Sequence, residues 1–264
     1  MKKVINGLSV FLSGREGSKA IIFVHGFPFD HYMWDAQVKE LSMNYFCVTY
    51  DIRGMGESTV DDGQYTMEMF VDDLEKIIDE LKMNRPILCG LSMGGYISLR
   101  AIERMQEKFS ALILCDTKSS ADDNEGKLKR ATAIKQINNG DFENFIESFV
   151  LNCFGQKFVN ENNAEYKKVV NRSKNNSPVG VKGCLMAMAS RTDTTESLAK
   201  INLPTLIICG SEDKLSPPEV MKSLANKISN SKFILVEGAG HMTPIENPQA
   251  VNQAIKDFLE DNKL

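Results

Sequence analysis

The residues LCGLSMGG at positions 88–95 place a serine between an apolar run and an amphipathic run. The apolar residues PILC before the serine are typical of a buried strand, and the residues YISLRAI after it have the spacing of an amphipathic helix. Ser92 is therefore predicted at a sharp turn from strand to helix, where Gly90 and Gly94 leave room for the two elements to approach. Such a turn also directs backbone N–H groups at the serine oxygen, where negative charge develops during acyl transfer.

Predicted strands and helices alternate on both sides of this turn. Apolar, β-branched runs predict strands at 4–12, 20–24, 46–50, 86–90, 111–115, 204–209 and 232–236. Amphipathic spacing predicts helices at 34–41, 67–81, 218–228 and from Pro248 onward, with Thr66 as the cap of the second. This alternation predicts an α/β fold with a mainly parallel sheet, in which functional residues lie beyond the carboxyl ends of the strands.

Residues 119–199 interrupt the alternation, because they are polar and helical and contain no convincing strand. A stretch this long and periodic is not a loop, so we predict a helical cap at 119–199 inserted into a core of 1–118 and 200–264. Phe145 and Phe149 lie on an apolar stripe of this insertion. The stripe either packs the cap onto the core or lines a substrate pocket, and the same alternatives apply to Met186.

Three polar residues at predicted strand ends have the chain order of a nucleophile-elbow site. A serine becomes a good nucleophile when a base takes its proton, and the base needs a carboxylate to orient it. Ser92, Asp213 and His241 follow each other in the order serine, acid, histidine. Asp116 also follows a predicted strand and is an alternative to Asp213 as the orienting acid.

The segment HGFP at 25–28 follows another predicted strand and is expected to contribute an oxyanion hole. The backbone N–H groups of Phe27 and Met93 are the predicted donors. We expect His25 to hold the loop by hydrogen bonding rather than to act as a base, and His31 to lie at the surface or the pocket rim. His25, Phe27 and Met93 are therefore predicted to adjoin the substrate.

The composition is that of an ordinary globular protein with a full core. The chain has 264 residues, of which 42% are hydrophobic and 25% charged, with a net charge of −4. Lysines and arginines are dispersed, so no nucleic-acid partner is expected, and no signal peptide or membrane-spanning run is recognisable. The six cysteines form no C-x-x-C pair, which favours buried free thiols in the cytoplasm over a disulfide framework or a metal site.

Five motifs together resemble the α/β-hydrolase fold superfamily over almost the whole chain. They are HGFP at 25–28, DIRGMGES at 51–58, GLSMGG at 90–95, GSEDKLSP at 210–217 and GHMTPIENP at 240–248. The resemblance implies a mostly parallel, eight-stranded sheet flanked by helices. It also implies Ser92 as nucleophile, His241 as general base and then acid, and Asp213 as its orienting group. Phe27 and Met93 would form the oxyanion hole.

Serine at the apex departs from the haloalkane dehalogenase and epoxide hydrolase branches, in which an aspartate attacks. Within the serine branch, the chain is similar to small carboxylesterases and to 3-oxoadipate enol-lactonases. The resemblance therefore implies an enzyme without cofactor or metal that cleaves a small-molecule ester through an acyl-enzyme, as a monomer or homodimer without membrane attachment.

The same fold can carry other activities than the hydrolysis of open esters. A lactonase of aromatic catabolism would need a cation near the serine, for which Arg191, Lys127, Lys129 and Arg130 are candidates. A signalling or receptor protein could keep the triad and turn its ligand over slowly. Perhydrolysis and C–C bond cleavage by the same triad are further options.

Overall fold

The computed structural model of the protein describes residues 1–264, and its centre is one eight-stranded sheet with the strand order β1-β2-β4-β3-β5-β6-β7-β8. The strands are β1 Lys2–Ile5, β2 Leu8–Ser13, β3 Ala20–Val24, β4 Phe46–Tyr50, β5 Ile87–Leu91, β6 Ala111–Cys115, β7 Thr205–Gly210 and β8 Ser231–Val236. β2 pairs antiparallel with β1 and β4, and all other pairs are parallel. The predicted α/β class with a mostly parallel sheet of eight strands is confirmed.

The N-terminal strand differs from its prediction. The single edge strand predicted at 4–12 is two antiparallel strands, because the chain turns at Asn6 and Gly7, where φ is 51° and 78°. Positive φ at both central residues is typical of a two-residue hairpin, and Asn-Gly is its preferred sequence.

Helices cover both faces of the sheet, and every residue of β3, β4, β5, β6 and β7 is buried. The α-helices are α1 Asp35–Leu41, α2 Met67–Glu80, α3 Met93–Met105, α4 Asn124–Asn138, α5 Phe142–Cys153, α6 Gln156–Glu161, α7 Asn163–Lys174, α8 Pro178–Ala189, α9 Pro218–Ala225, α10 Thr243–Glu246 and α11 Pro248–Asp261. Thr66 caps α2 as predicted, because its side chain accepts a hydrogen bond from the Met69 amide. No helix combines the length and apolar character that crossing a bilayer requires.

Five α-helices, α4 to α8, a short 3₁₀-helix at Thr195–Lys200 and no strand separate β6 from β7. Residues of α4, α5 and α8 surround a cavity that Ser92 and His241 also line. The helical segment predicted at 119–199 is thus helical and adjoins the carboxyl edge of the sheet, while its limits as a separate domain stay a prediction. All six cysteines are free and buried.

Candidate active site

Ser92 stands between β5 and α3 in a strained backbone conformation. Its φ is 53° and its ψ is −113°, a combination that a residue with a side chain rarely adopts. The hydroxyl of Thr117 donates a hydrogen bond of 2.8 Å to the Ser92 carbonyl and so holds the turn from the neighbouring strand. The predicted strand–turn–helix around Ser92 is therefore present.

Glycines on each side of Ser92 allow this turn to form. A Cβ atom on Gly90 would lie 2.4 Å from the Gly94 carbonyl oxygen, and a Cβ atom on Gly94 would lie 2.1 Å from the carbonyl oxygen of Val24. Both distances are far below van der Waals contact, so the strand and the helix could not approach as they do with any larger residue.

His241 contacts Asp213 through a hydrogen bond of 2.8 Å between Nδ1 and Oδ2. The other carboxylate oxygen of Asp213 accepts from the amides of Leu215 and Ser216 at 2.8 and 3.0 Å. Burial acts to raise the pKa of Asp213, but the imidazole and these amides outweigh it and hold the pKa below its usual value. Asp213 is thus an ionised carboxylate that fixes the ring and leaves Nε2 of His241 free.

Asp116, the alternative acid, forms no hydrogen bond with His241. Its Oδ1 accepts from the Gly210 amide at 2.8 Å, and its Oδ2 lies 2.5 Å from the Thr243 hydroxyl. Burial and then the negative charge of Asp213 raise the pKa of Asp116 well above its usual value. Of the two candidate carboxyl groups, Asp213 contacts the imidazole and has a lowered pKa, whereas Asp116 contacts Gly210 and Thr243 and has a raised pKa.

Asp116, Cys209 and Asp213 bring one potential metal-ligand atom each to within 4.8 Å of one another. The four carboxylate oxygens already accept hydrogen bonds from backbone amides, the Thr243 hydroxyl or the His241 ring. The Cys209 thiol donates to a carbonyl, and burial raises its pKa, which disfavours the thiolate that a metal would require. The contacts of Asp116, Cys209 and Asp213 thus fit a hydrogen-bonded network next to His241 better than a metal site.

Glu246 holds the loop that carries His241 and was not singled out by the sequence analysis. Its Oε1 accepts from the amides of Gly240 and Met242 at 3.0 and 3.1 Å, and its Oε2 accepts from the Gly155 amide at 2.8 Å. The His241 amide donates to the Cys153 carbonyl at 2.8 Å. Two elements of the inserted helical segment therefore help to position the histidine.

The two amides predicted to form an oxyanion hole are available for a ligand. Phe27 and Met93 are buried, and neither backbone N–H donates a hydrogen bond within the protein. Buried N–H groups without a partner are rare, so such a pair next to a candidate nucleophile indicates an anion-binding position.

The His25 side chain forms hydrogen bonds with two backbone groups, one of which belongs to the loop of Phe27. Its Nε2 accepts from the Ile52 amide at 2.8 Å, and its Nδ1 lies 2.8 Å from the Gly26 carbonyl. These partners require a neutral ring with the proton on Nδ1, and burial lowers the pKa of His25 accordingly. The side chain is fully buried and does not line the cavity.

The expectation that His31 lies at the surface or the pocket rim is wrong. The residue is 6% exposed, its Nδ1 lies 2.7 Å from Oδ1 of Asp51, and its ring stacks on Phe11 at a centroid distance of 3.5 Å. Asp51 is itself buried, and a buried carboxylate requires hydrogen-bond donors. The contact with Asp51 therefore stabilises the imidazole in a buried position.

Ser92 and His241 line a cavity of about 440 Å³. Phe27, Phe145 and Phe149 form an aromatic cluster on its wall, with ring centroids 5.1 to 6.4 Å apart. Leu185 and Met188 of α8 also line the cavity, whereas Met186 is 53% exposed and does not. The Ser92 hydroxyl makes no hydrogen bond to another residue, which leaves its oxygen open to a ligand.

The cations named from the sequence occupy different environments. Lys129 and Arg130 line the cavity, Lys127 is exposed outside it, and Arg191 is buried behind its wall. Lys118, which the sequence analysis did not name, also lines the cavity.

Three comparisons with known proteins agree with this geometry. A sequence model of the α/β hydrolase fold matches residues 19–248. 3-Oxoadipate enol-lactonase 1 from Acinetobacter baylyi is 30% identical over 96% of this chain and 93% of its own. A thermophilic esterase from Thermogutta terrifontis with malate bound superimposes with a TM-score of 0.93 at 31% identity, over 99% of this chain and 98% of the esterase. A bromoperoxidase from Bacillus anthracis superimposes with a TM-score of 0.89 at 25% identity, over 99% and 100% of the two chains.

Proposed function

The chain belongs to the α/β hydrolase fold family, and we propose that it is a serine hydrolase that cleaves carboxylic esters of small molecules through an acyl-enzyme. The observation that carries the proposal is the contact between His241 and Asp213 beside a cavity that also exposes Ser92. A strained serine, an oriented imidazole and two unpaired amides are the parts that acyl transfer requires.

The reaction follows from these parts in two halves. Ser92 Oγ attacks the ester carbonyl while Nε2 of His241 takes its proton, and Asp213 stabilises the resulting imidazolium. The carbonyl oxygen becomes an oxyanion that accepts hydrogen bonds from the amides of Phe27 and Met93. The tetrahedral intermediate collapses, His241 gives its proton to the departing alkoxide, and the acyl group stays on Ser92.

Deacylation repeats the same steps with water. His241 takes a proton from a water molecule, whose oxygen attacks the acyl carbonyl, and the second intermediate expels Ser92 as His241 returns the proton. The products are an alcohol and a carboxylic acid. We expect the Ser92 hydroxyl and Nε2 of His241 to form their hydrogen bond when substrate enters, since catalytic hydrogen bonds are often long or absent before the substrate binds.

Turnover of p-nitrophenyl acetate, followed by labelling with a fluorophosphonate, tests the proposal. We expect the wild-type chain to hydrolyse the ester and to be labelled, and Ser92→Ala to lose both properties. Ser190→Ala is a matched control, because Ser190 is exposed at the end of α8. Turnover that survives in Ser92→Ala would contradict the proposal, and rapid turnover by the purified chain alone would contradict the receptor alternative.

A lactonase of the 3-oxoadipate enol-lactonase type is the second candidate. It is favoured by the A. baylyi relative and by cationic side chains on the wall of the cavity. A lactone opens by the same attack on a carbonyl, but its alcohol stays attached to the acyl group. A panel of lactones and open esters of equal carbon number separates the two, since the ratio of their kcat/KM values reports which substrate the cavity fits.

A further inference from the structure

One side chain of the inserted helical segment contacts the loop that carries Phe27 (residues 25–30, the Phe27 loop). Asn176 lies between α7 and α8 and is 6% exposed. Its Nδ2 donates a hydrogen bond of 2.8 Å to the Pro28 carbonyl, and its Oδ1 accepts one of 2.8 Å from the Gly56 amide. Asn176 therefore connects three segments that are far apart in the sequence.

The two contacts of Asn176 use both ends of its amide group. The Pro28 carbonyl requires a donor and the Gly56 N–H requires an acceptor, so the two partners determine which way the amide points. The contact with Pro28 is buried, and removal of one partner from a buried hydrogen bond leaves the other group unsatisfied. An apolar side chain of the same size could form neither contact.

The Phe27 loop lies directly against the candidate nucleophile. A Cβ atom on Gly26 would lie 3.3 Å from Cβ of Ser92. The next N–H along the chain is that of Phe27, which donates to no group of the protein. Donors to an oxyanion act at about 2.7–3.1 Å, so a small displacement of this loop would weaken the contribution of the Phe27 amide.

Hydrogen bonds can hold the backbone at Phe27 and Pro28 only through its carbonyl groups. Proline has no N–H, and the Phe27 N–H must stay free if it is to bind a ligand. Before Phe27, the Gly26 carbonyl accepts from the Phe29 amide at 3.0 Å and lies 2.8 Å from Nδ1 of His25. The contact with Asn176 holds the loop on the other side of Phe27, at Pro28.

The inserted segment around Asn176 is itself packed closely on the core. A Cβ atom on Gly180 would lie 1.9 Å from the Gly54 carbonyl oxygen, so α8 contacts the core backbone directly. One helical turn before Asn176, Nε and a terminal nitrogen of Arg172 lie 3.0 and 2.8 Å from the Asp30 carboxylate, at the end of the Phe27 loop. The amide of Asn176 is therefore presented to Pro28 from a well-anchored part of the chain.

We propose that Asn176 is a positioning residue for acyl transfer, because its contact with the Pro28 carbonyl keeps the Phe27 amide where the oxyanion forms. The inference rests on the proposed function, since the oxyanion exists only during acyl transfer at Ser92. Asn176 does not line the cavity, so it acts through the backbone of the Phe27 loop and not by contact with the substrate. The inserted helical segment then contributes to the catalytic geometry as well as to the wall of the cavity.

Loss of this positioning should lower kcat and leave KM nearly unchanged. The carbonyl oxygen of a bound ester has only a partial charge, whereas the oxygen of the tetrahedral intermediate has a full negative charge, which the amides stabilise more strongly. A trifluoromethyl ketone measures the same effect without turnover. Ser92 Oγ adds to its carbonyl carbon, the serine proton passes to His241, and the carbonyl oxygen becomes an oxyanion in the same place.

Asn176→Leu and Asn176→Ala test the proposal with p-nitrophenyl acetate as substrate and hexyl trifluoromethyl ketone as inhibitor. Leucine removes both contacts at similar size, and alanine removes them without placing a large apolar group against two polar ones. The rate is expressed per serine labelled to completion with a fluorophosphonate, which counts only folded active sites. Gln106→Met is the matched control, because the Gln106 amide also donates to one carbonyl, that of Lys200, and accepts from one amide, that of Asn202, outside the cavity.

We expect kcat to fall about tenfold and the inhibition constant of the ketone to rise about tenfold in both Asn176 variants, since loss of a whole oxyanion donor costs about 10²–10³ in kcat and displacement of one costs less. KM in these variants, and all three quantities in Gln106→Met, should stay within about twofold of wild type. If Ser92 turns over the ester but kcat and the inhibition constant change no more in the Asn176 variants than in Gln106→Met, or if only KM changes, the positioning role is refuted and the proposed function stands. If the wild type hydrolyses no ester, both are refuted.

Discussion

Oδ2 of Asp213 lies 2.8 Å from Nδ1 of His241, and Oδ1 of the same carboxylate accepts hydrogen bonds from two consecutive backbone amides. This arrangement keeps the carboxylate charged in a buried position and fixes the tautomer of the imidazole. The neighbouring Asp116 forms its hydrogen bonds with Gly210 and Thr243 and none with the ring. The two acids therefore differ in the direction of their pKa shifts and in their contacts, and substitutions can separate their contributions.

Replacement of Asp213 by asparagine should abolish most of the activity. The amide keeps the size of the side chain but cannot accept from Nδ1–H and stabilise an imidazolium as the carboxylate does. We expect kcat for p-nitrophenyl acetate to fall about 10³–10⁴-fold, as in other enzymes with this triad. A loss smaller than tenfold would contradict the role of Asp213.

Asp116→Asn serves as the comparison, because it makes the same chemical change in a neighbouring acid. The Asp116 carboxyl group has a raised pKa and contacts Gly210 and Thr243, which an amide can also do. We expect kcat to change less than about tenfold. Equal losses in the two variants would show that the carboxyl groups act as one unit.

The stability of Asp116→Asn should depend on pH in a defined direction. The pKa of Asp116 is raised in the folded chain, so folding takes up a proton at any pH between its usual value near 4 and the folded value. Wild-type stability therefore falls through this window as pH rises, by about 1.4 kcal/mol for each pH unit, while asparagine has no such proton. Urea unfolding at pH 4 to 8 should show that the free energy of unfolding of Asp116→Asn rises relative to that of wild type as the pH increases. A difference in free energy that does not change with pH would contradict the raised pKa of Asp116.

Gly94→Ala should disrupt the turn at Ser92. The added Cβ would lie 2.1 Å from a backbone oxygen of β3, which cannot move aside as a flexible side chain could. We expect a loss of more than about 3 kcal/mol in the free energy of unfolding, together with loss of turnover. Gly17→Ala is the control, because nothing lies within 4 Å of its Cβ position, and its positive φ alone should cost about 1–2 kcal/mol. Equal losses would mean that close approach at Gly94 is unimportant.

The sequence predicted the sheet and the residues at strand ends well, because their signals are local. A buried parallel strand is a continuous apolar run, and Ser92 and Asp213 each follow one, while His241 follows the half-buried edge strand β8. The N-terminal hairpin is the exception, because apolar residues on both sides of Asn6 and Gly7 predict one strand although Asn-Gly is itself a turn signal. For the strands and for the hairpin alike, the prediction depended on the residue pattern within a window of about ten residues.

Contacts between distant segments could not be predicted in this way. The choice between Asp116 and Asp213 depends on which carboxylate turns toward a ring that follows a third strand. Glu246 binds Gly155 across 91 positions of sequence, and Lys118 lines the cavity together with residues of the later helices α5 and α8. Alternation and spacing contain no information about such packing, which is why the wall of the cavity was the least predictable part of the site.

Phe149→Ala should shift the preferred acyl length of the substrate. The Phe149 ring meets the ring of Phe27 edge to face at 5.1 Å and lines the cavity, so its removal opens apolar space near Ser92. We expect the ratio of kcat/KM for p-nitrophenyl octanoate to that for the acetate to rise about tenfold, since extra methylenes in an apolar pocket are worth about 1–3 kcal/mol. Leu151→Ala is the control, because Leu151 is 47% exposed on the same helix and outside the cavity. An unchanged length profile in Phe149→Ala, or the same shift in Leu151→Ala, would mean that this ring does not limit the acyl group and only packs the helices onto the core.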